Sequence, residues 1–537
     1  MRKFLGILLC AFALPAAAQD QEVLKAAMLL CGASTEEEVD EVLIDQLESL
    51  RGRPLRVNSN HLRASAILSD YQVAVIRDYR ANSGDILSFE ELSLLEGFTK
   101  ADVEALKPFL SLESTRLPGA ADTIKIKGQA LLRGTLNSAG GKVKVTGHSW
   151  RAGGALRCGD GFKKWDGTFF GEATLGNHRI VAGDYKVRFA EGLGLWTGFS
   201  MDNLSTVDAF LKRAQGISPV WSFTSSGVQR GLAYEYSSRH WRAQAFGAFD
   251  RSFGARGEYL GRHFQGGVTV SSGLTVSADA KVNLRGKLIS GEVAWRGGSF
   301  AGKLAGLFPL GESFRLAFQG RVIPSKYSGK KNGEYALAAG SDWISEGRRH
   351  KVSLTADAAL LPVPEQDPGR FQVRGYATWD WQISSLFALN IRLTERYRNY
   401  EPPRTDIRSD VKFLSGPWLG ALRLEAVRCE AWGMLGYLEG GYKASEGSRP
   451  EYAVYLRGTG FLIDKWPDRI YVYERDAPGT FSVPAYYGRG AGISATGSVK
   501  WRLWKRLDLR VNLRAAGVFR IGRPASPTLN LQLQIGL

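Results

Sequence analysis

The chain has 537 residues, and its 70 lysines and arginines outnumber its 53 aspartates and glutamates, giving a formal net charge of +17. Beyond its first residues, no stretch approaches the roughly 18 continuous apolar residues of a membrane-spanning helix, so a helical membrane protein is excluded. After Cys10 the cysteines are far apart, at Cys31, Cys158 and Cys429, which indicates neither a disulfide framework nor a zinc site.

The first element is a predicted signal peptide. The chain opens MRKFLGILLCAFALPAAAQD, in which Arg2 and Lys3 precede an apolar run and three alanines follow it. This order of basic, apolar and small residues is typical of a secretory signal that is cut after Ala18. Residues 1–18 are therefore expected to be removed, and the mature protein is expected to leave the cytosol.

Residues 19–118 are predicted to form a small helical domain. Residues 19 to 120 hold 10 basic and 18 acidic side chains, a net charge of −8. In three places an N-capping residue stands three positions before an acidic partner at the start of a helical run. These pairs are Thr35 with Glu38, Ser88 with Glu91, and Thr99 with Asp102.

Residues 119–537 are predicted to form a β-barrel in an outer membrane. Residues 121 to 537 hold 58 basic and 35 acidic side chains, a net charge of +23, and segments of about ten residues alternate apolar with polar side chains. The last ten residues, TLNLQLQIGL, alternate over their whole length, so their leucines are expected to face lipid. The predicted fold class is mainly β, a large antiparallel transmembrane barrel of roughly 18 to 22 strands behind a small all-α domain.

The polar face of such strands would line the lumen, and it is rich in arginine. Two interpretations stay open: the arginines attract anions by a long-range field, or they pair with inward carboxylates such as Asp357, Asp380, Glu425 and Asp508. The candidate arginines are Arg374, Arg392, Arg396, Arg398, Arg423, Arg510 and Arg514.

Several blocks resemble a known family. Residues 56–110 look like the paired helix-hairpin-helix of competence-type DNA receptors. The rest of the chain resembles gram-negative helix-hairpin-helix domain-containing outer-membrane proteins. The blocks that carry this second resemblance are, in chain order, AGDYKVRFAEGLGLWTGF, VQRGLAYEY, GEVAW, RVIPSKY and DRIYVYERD. The resemblance implies a periplasmic helical domain, a barrel and a link to DNA uptake. Its barrel motif positions are Gly183, Asp184, Tyr185, Glu191, Gly192, Arg230, Glu292 and Glu474. The blocks around Gly183 and Gly192 fit either a functional constriction or the anchoring of an inward-folded loop. Arg230 and Glu474 fit either a ligand contact or a lumen salt bridge.

The two hairpins of the helical domain differ in their suitability for DNA. A helix-hairpin-helix holds a phosphate with backbone N–H groups at a helix start, where glycine permits close approach. The first hairpin, AILSDYQ, lacks glycine and has Asp70 at the phosphate position, whereas the second retains Gly97, Thr99 and Lys100 as phosphate-contacting candidates. The acidic charge of the domain opposes polyanion binding, so a protein-docking role stays open beside DNA binding.

Three functions remain after this survey. The first is an outer-membrane conduit or receptor for uptake of DNA or another macromolecule, with the helical domain in the periplasm. The second is an envelope scaffold whose helical domain docks a periplasmic or outer-membrane protein, and the third is an anion-preferring porin. No GxSxG or other nucleophile motif appears, and GGSFAGKL has Leu304 where a phosphate-binding loop needs Ser or Thr, so neither an enzyme nor a cofactor or metal site is predicted.

Overall fold

The structure is a computed structural model of the chain. It describes residues 21–51, 54–59, 62–63, 65, 67–113, 126–198, 203–364, 366–444, 450–504 and 507–536. The predicted signal peptide and the predicted domain boundary at residues 118 and 119 lie outside these ranges.

The N-terminal region is helical, as predicted. Its helices are α1 Gln21–Cys31, α2 Glu41–Arg51, α3 Asp70–Ser83, α4 Phe89–Ser93 and α5 Lys100–Leu106, with 3-10 turns at Glu36–Glu38 and Lys107–Phe109. Two short strands, β1 Leu55–Arg56 and β2 Leu110–Ser111, pair in parallel and so bring the two ends of the segment between them together. Buried apolar side chains such as Val23, Ile44, Ile67, Ile76 and Phe109 form one core.

Two of the three predicted caps are confirmed. The Ser88 hydroxyl accepts the Glu91 N–H at the start of α4, and Thr99 with Asp102 forms a complete capping box on α5. The prediction for Thr35 is wrong, because its side chain makes no capping hydrogen bond and α2 begins only at Glu41. The Glu38 carboxylate instead accepts the backbone N–H of Ser34 at 3.0 Å.

The rest of the described chain forms a closed antiparallel barrel. In the described residues it has 24 strands, an even number as predicted and two more than the upper end of the predicted range. The final strand pairs with the first, Gly536 opposite Gln129, so the sheet has no free edge. The barrel strands are β3 Lys127–Thr135, β4 Ser138–Thr146, β5 Trp150–Gly159, β6 Lys164–Leu175, β7 His178–Arg188, β9 Gln229–Ser237, β10 Trp241–Ala248, β11 Phe253–Leu260, β12 Phe264–Ser271, β13 Thr275–Leu284, β14 Lys287–Arg296, β15 Ser299–Leu310, β16 Phe314–Ile323, β17 Glu334–Ile344, β18 His350–Leu360, β19 Phe371–Gln382, β20 Phe387–Arg398, β21 Glu401–Ser415, β22 Trp418–Arg428, β23 Trp432–Lys443, β24 Glu451–Ile463, β27 Gly488–Trp504, β28 Leu507–Arg520 and β29 Ser526–Gly536.

The alternation of the last strand has the predicted orientation. Leu529 and Leu531 are 42% and 51% exposed on the outer face, whereas Asn530 and Gln532 are buried on the inner face. The inner amides are hydrogen-bonded, Asn530 to Asp476 and Gln532 to the Pro478 carbonyl. The barrel therefore has an apolar exterior and a polar interior.

The two rims of the barrel differ. Strand β3 begins and β29 ends at one rim, here called the terminal rim, and the opposite rim is called the distal rim. Two long connections leave the distal rim and fold inward: distal loop 1, between β7 and β9, and distal loop 2, between β24 and β27. Loop 1 contains β8 Gly216–Pro219 and a 3-10 turn Val207–Phe210. Loop 2 contains a 3-10 turn Trp466–Asp468 and the pair β25 Ile470–Tyr471 and β26 Ala485–Tyr486. A further short helix, α6 Ser325–Ser328, connects β16 to β17 at the same rim.

Among the described residues, none of the helices combines the length and the apolar character that a membrane crossing requires.

Candidate functional site

The helical domain occupies the barrel lumen. Its polar side chains contact the inner faces of strands on several sides of the barrel rather than one patch. We call this domain, residues 21–113, the plug. Its ion pairs to the wall include Asp45 with Lys142 of β4, Asp40 with Arg188 of β7, Arg63 with Glu235 of β9, Asp70 with Arg242 of β10, and Glu37 with Arg408 of β21 and Arg423 of β22.

The deepest contact is a buried group of five charged residues, here called the latch: Glu36, Glu37, Arg408, Asp410 and Arg423. The Glu37 carboxylate lies 2.7 Å from Arg423 and 3.0 Å from Arg408, and Glu36 lies 3.2 Å from Arg408. Asp410 accepts a 2.6 Å hydrogen bond from each arginine. Charges this deeply buried are tolerated only when each has partners, so the latch holds together only with the plug in place.

The environment of the latch lowers the pKa of both plug carboxylates. Burial alone would raise the pKa of Glu37, but Arg408, the Tyr473 N–H and Arg392 outweigh it and bring that pKa to about 2. For Glu36, burial and the charge of Glu37 oppose ionisation, yet Lys412 and Arg408 lower its pKa below the usual 4.5. Both groups are therefore held as carboxylates by the cations of the wall.

These shifts predict that acid releases the plug. A carboxylate whose pKa is lower when docked stabilises docking above its undocked pKa, 4.5, and this contribution is lost as the pH falls toward the docked value of about 2. We expect the conductance of the protein in planar bilayers to be low at pH 7 and to rise below pH 4.5. A conductance that stays constant between pH 7 and pH 2.5 would contradict this expectation, provided that the barrel remains folded.

At the terminal rim, the first hairpin of the plug docks against the wall. Asp70, which departs from the DNA-binding pattern, accepts two 2.8 Å hydrogen bonds from the Arg242 guanidinium. Arg262, in the turn between β11 and β12, pairs with Asp78 at 3.0 Å and Glu96 at 3.3 Å. The acidic residue in this hairpin therefore attaches the plug to the barrel.

The second hairpin is exposed and already makes close internal contacts. Gly97 has a φ of +80°, and a Cβ added to it would lie 2.5 Å from the Tyr71 ring. The Gln72 amide donates to the Gly97 carbonyl at 2.8 Å, and the Asp102 carboxylate takes the Thr99 N–H at 2.9 Å. Lys100 points to solvent. Gly97 is thus required for packing within the plug, and DNA contact by Gly97, Thr99 and Lys100 stays a prediction.

The motif residues of β7 and β9 form a cluster in the wall. The Asp184 carboxylate is buried and accepts 2.7 and 3.0 Å hydrogen bonds from Arg230, together with the Phe169 N–H. Tyr185 is fully buried and donates to the Gly247 carbonyl at 3.0 Å. Gly183 has a φ of +99°, and a side chain there would collide with the Phe169 carbonyl. This cluster braces the strands from which distal loop 1 departs.

A second motif cluster holds the start of distal loop 1 against the wall. The Glu292 carboxylate on β14 accepts three backbone hydrogen bonds, from Glu191 at 3.0 Å, Leu193 at 2.9 Å and Gly194 at 2.8 Å. Glu191 pairs with Lys303 at 3.1 Å, and Gly192 makes the turn with a φ of +84°. One inward carboxylate therefore fixes a whole turn of the loop.

Distal loop 2 is anchored to the wall and also covers the plug. Glu474 contacts both Arg514 and Tyr486. Tyr473, Phe481 and Val483 of this loop pack against the core of the plug, and the Tyr473 N–H donates to Glu37 at 3.0 Å. The plug is thus held from the wall and from the distal side.

The predicted lumen arginines fall into two groups. Most pair with acids: Arg374 with Asp357, Arg398 with Glu401, Arg423 with the latch, and Arg514 with Glu474. Within the described part of the chain, Arg392 and Arg510 form no ion pair, and the carboxylate closest to Arg396 is Glu401 at 3.9 Å. Of the four predicted partner acids, Asp357 pairs with a predicted arginine, Arg374. Asp508 pairs instead with Arg502, and Asp380 accepts a hydrogen bond from Asn390. Glu425 forms no ion pair among the described residues.

The sequence did not identify the latch. Its plug residues, Glu36 and Glu37, lie in a short run that resembles a helix cap. Its arginines lie about 370 residues later, as in the hydrogen bond from Arg408 to Glu37. The sequence feature that pointed to such a contact was the opposite net charge of residues 19–120 and residues 121–537. Among the residues that the structure describes, no group of three or more His, Cys, Asp or Glu is placed to hold a metal ion.

Known proteins resemble this chain only distantly. No family model and no curated protein matches the sequence. Similar solved structures include the outer membrane protein OpdK from Pseudomonas aeruginosa (10% identity, 77% of this chain and 98% of that chain, TM-score 0.32). They also include the FrpB iron transporter from Neisseria meningitidis (8%, 77% and 82%, 0.42) and the P pilus usher PapC translocation pore (9%, 77% and 99%, 0.37). At these identities the likeness concerns the barrel fold alone.

Proposed function

We propose that the protein is an outer-membrane conduit that its own N-terminal domain closes and that opens when this domain leaves the lumen. The observation that carries this proposal is the chemistry of the plug–wall interface. It consists largely of ion pairs between an acidic plug and a basic wall. Such contacts can be exchanged for water or for another charged partner more readily than an apolar core can.

The proposed orientation puts the terminal rim in the periplasm. Bacterial outer-membrane barrels have short periplasmic turns and longer extracellular loops. Here the two long inward connections both start at the distal rim, and the exposed second hairpin lies beside the terminal rim through the Glu96–Arg262 pair. In this orientation a periplasmic factor reaches the plug directly, and cargo enters from the distal side.

A zero-length cross-link tests whether the plug is the gate. Carbodiimide joins a carboxylate to a neighbouring amine, and Asp45 lies 2.6 Å from the Lys142 amine while Glu36 lies 3.3 Å from that of Lys412. After treatment at near-neutral pH, we expect the whole mature protein to lose the conductance rise that acid otherwise causes.

The matched control is the double variant Lys142→Arg with Lys412→Arg. It keeps a positive charge at both positions but offers no amine, so it should still open in acid after the same treatment. If mass spectrometry shows the Asp45–Lys142 link and acid still opens the wild-type channel, the plug is not the gate.

DNA is the cargo that the helix-hairpin-helix resemblance suggests, and it can be tested separately. If the second hairpin holds phosphates, Lys100→Gln should weaken binding of fluorescently labelled duplex or single-stranded DNA by the full protein severalfold and reduce its dependence on salt. Lys25→Gln, another exposed lysine of the plug, should not. Equal binding by wild type and both variants would exclude the hairpin as the DNA contact.

A scaffold role is the second candidate, and the charge of the exposed face favours it. Residues 81–113 carry seven acidic and two basic side chains, and Leu87 and Leu94 are each 80% exposed on this face. Such a surface suits a basic protein partner better than a polyanion. If specific partners are recovered from envelope extracts while the plug stays immobile, the scaffold explains the protein better.

The porin alternative requires a steady, anion-selective conductance with the plug in place.

A further inference from the structure

One part of the lumen wall concentrates positive charge. On the inner faces of β19, β20 and β21 lie six arginines, which we call the arginine wall. Arg374, Arg396 and Arg404 are register partners across the three strands. Arg392 and Arg408 are register partners too, four residues further along β20 and β21 toward the terminal rim. Like charges directly opposite on neighbouring strands are destabilising, so this arrangement needs anions nearby. The members are Arg374, Arg392, Arg396, Arg398, Arg404 and Arg408.

Four of these arginines are neutralised by the protein. Arg374 pairs with Asp357 at 2.7 Å and Arg404 with Asp406 at 2.7 Å. Arg398 pairs with Glu401 at 2.6 Å, while Arg408 is satisfied by Asp410 and the plug. Each of these four therefore has a carboxylate within hydrogen-bonding distance.

The remaining two arginines form no hydrogen bond with a described carboxylate, although Arg392 is near enough to Glu37 to lower its pKa. Arg392 donates no hydrogen bond to any described residue, and its Nε is buried without an acceptor. Arg396 approaches only Glu401, at 3.9 Å, and that carboxylate already accepts a hydrogen bond from Arg398; the Nε of Arg396 also has no acceptor among the described residues. These two guanidinium groups on one face of β20 therefore keep N–H donors that a bound anion would satisfy.

Of the two arginines, Arg396 lies nearer the distal rim. Strand β20 runs toward that rim and ends at Arg398, while Arg392 lies level with Arg408 of the latch. The side chain of Arg396 is 33% exposed, against 2% for Arg423 in the latch. A ligand from the distal side would therefore meet Arg396 before Arg392.

We infer that this pair, with Arg398 beside it, binds a multivalent phosphate-bearing anion that enters from the distal side. Guanidinium forks match phosphate oxygens with two parallel hydrogen bonds, and a phosphate chain brings several charges within the span of two arginines four residues apart. The binding does not depend on the conduit: a barrel whose plug never moves would bind the same ligand.

Calorimetry on the full mature protein in detergent at low salt tests the site. Inorganic tripolyphosphate is the first probe, and a nucleoside triphosphate tells whether a free phosphate chain or a nucleotide is preferred. We expect saturable binding of both, weakened about tenfold or more in the double variant Arg392→Gln with Arg396→Gln. Citrate, which has three carboxylates, should bind more weakly than tripolyphosphate.

Arg489→Gln is the matched control, because it removes an exposed arginine near the distal rim that pairs with Asp464. Its affinity for tripolyphosphate should stay within about twofold of the wild type. The double variant should keep a folded barrel, and its unfolding temperature checks this. Equal tripolyphosphate binding by wild type and double variant would overturn the site, and equal affinity for citrate would overturn its assignment to phosphate.

Discussion

Replacing Glu36 and Glu37 together by glutamine is expected to open the channel at neutral pH. The change removes both plug carboxylates from the latch and leaves Arg408 and Arg423 to share Asp410. Breaking one side of a buried ion-pair network costs about 3 to 5 kcal/mol. If the plug gates the lumen, the open probability in planar bilayers should therefore rise by about a hundredfold or more.

The control for this experiment has the same change of charge in the same domain. Glu90→Gln with Glu104→Gln removes two exposed carboxylates of the plug that do not contact the barrel. This variant should behave as the wild type. If E36Q/E37Q conducts no more than the control, and limited proteolysis shows no greater exposure of the plug, the latch does not hold the plug in the lumen.

Replacing Glu292 by alanine is expected to detach distal loop 1 from the wall. The variant leaves the buried N–H groups of Glu191, Leu193 and Gly194 without their acceptor. Each buried donor left without a partner costs about 1 to 3 kcal/mol, so the loop should lose about 3 kcal/mol or more of local stability. Hydrogen exchange followed by mass spectrometry should show amides 191, 193 and 194 exchanging at least a hundredfold faster, because this much local stability is lost.

A substitution elsewhere distinguishes a local from a general effect. Glu312 is exposed in the turn between β15 and β16, and Glu312→Ala should leave the exchange of distal loop 1 unchanged. If Glu292→Ala leaves those three amides protected, the loop is held by other contacts, such as the Tyr327 hydroxyl on the Leu193 carbonyl.

The sequence predicted those features that depend on neighbouring residues. The alternation of β29 fixed which leucines face outward, and the hydroxyls of Ser88 and Thr99 lie three residues from the groups that they cap. The strand count was underestimated, and short strands of eight residues, such as β10 and β11, carry a weak alternation signal.

Contacts between residues far apart in the chain could not be predicted from the sequence. The latch joins Glu37 to Arg408 and Arg423, and the rim contact joins Asp70 to Arg242, across 172 residues or more. Thr35 was assigned to a cap because Glu38 has the right spacing, whereas the neighbouring glutamates face wall arginines. Spacing along one chain does not reveal which distant strand a carboxylate will meet.

The opposite charges of plug and wall also bear on how the protein is made. Without the plug, Arg408 and Arg423 would keep their hydrogen bonds to Asp410 of the wall but lose those to Glu36 and Glu37. Every chain carries one acidic plug and one basic barrel. The plug carboxylates are therefore present in a one-to-one ratio with the wall arginines that they neutralise. A barrel whose β3–β29 seam closes with the plug inside has these counter-charges in place from the start.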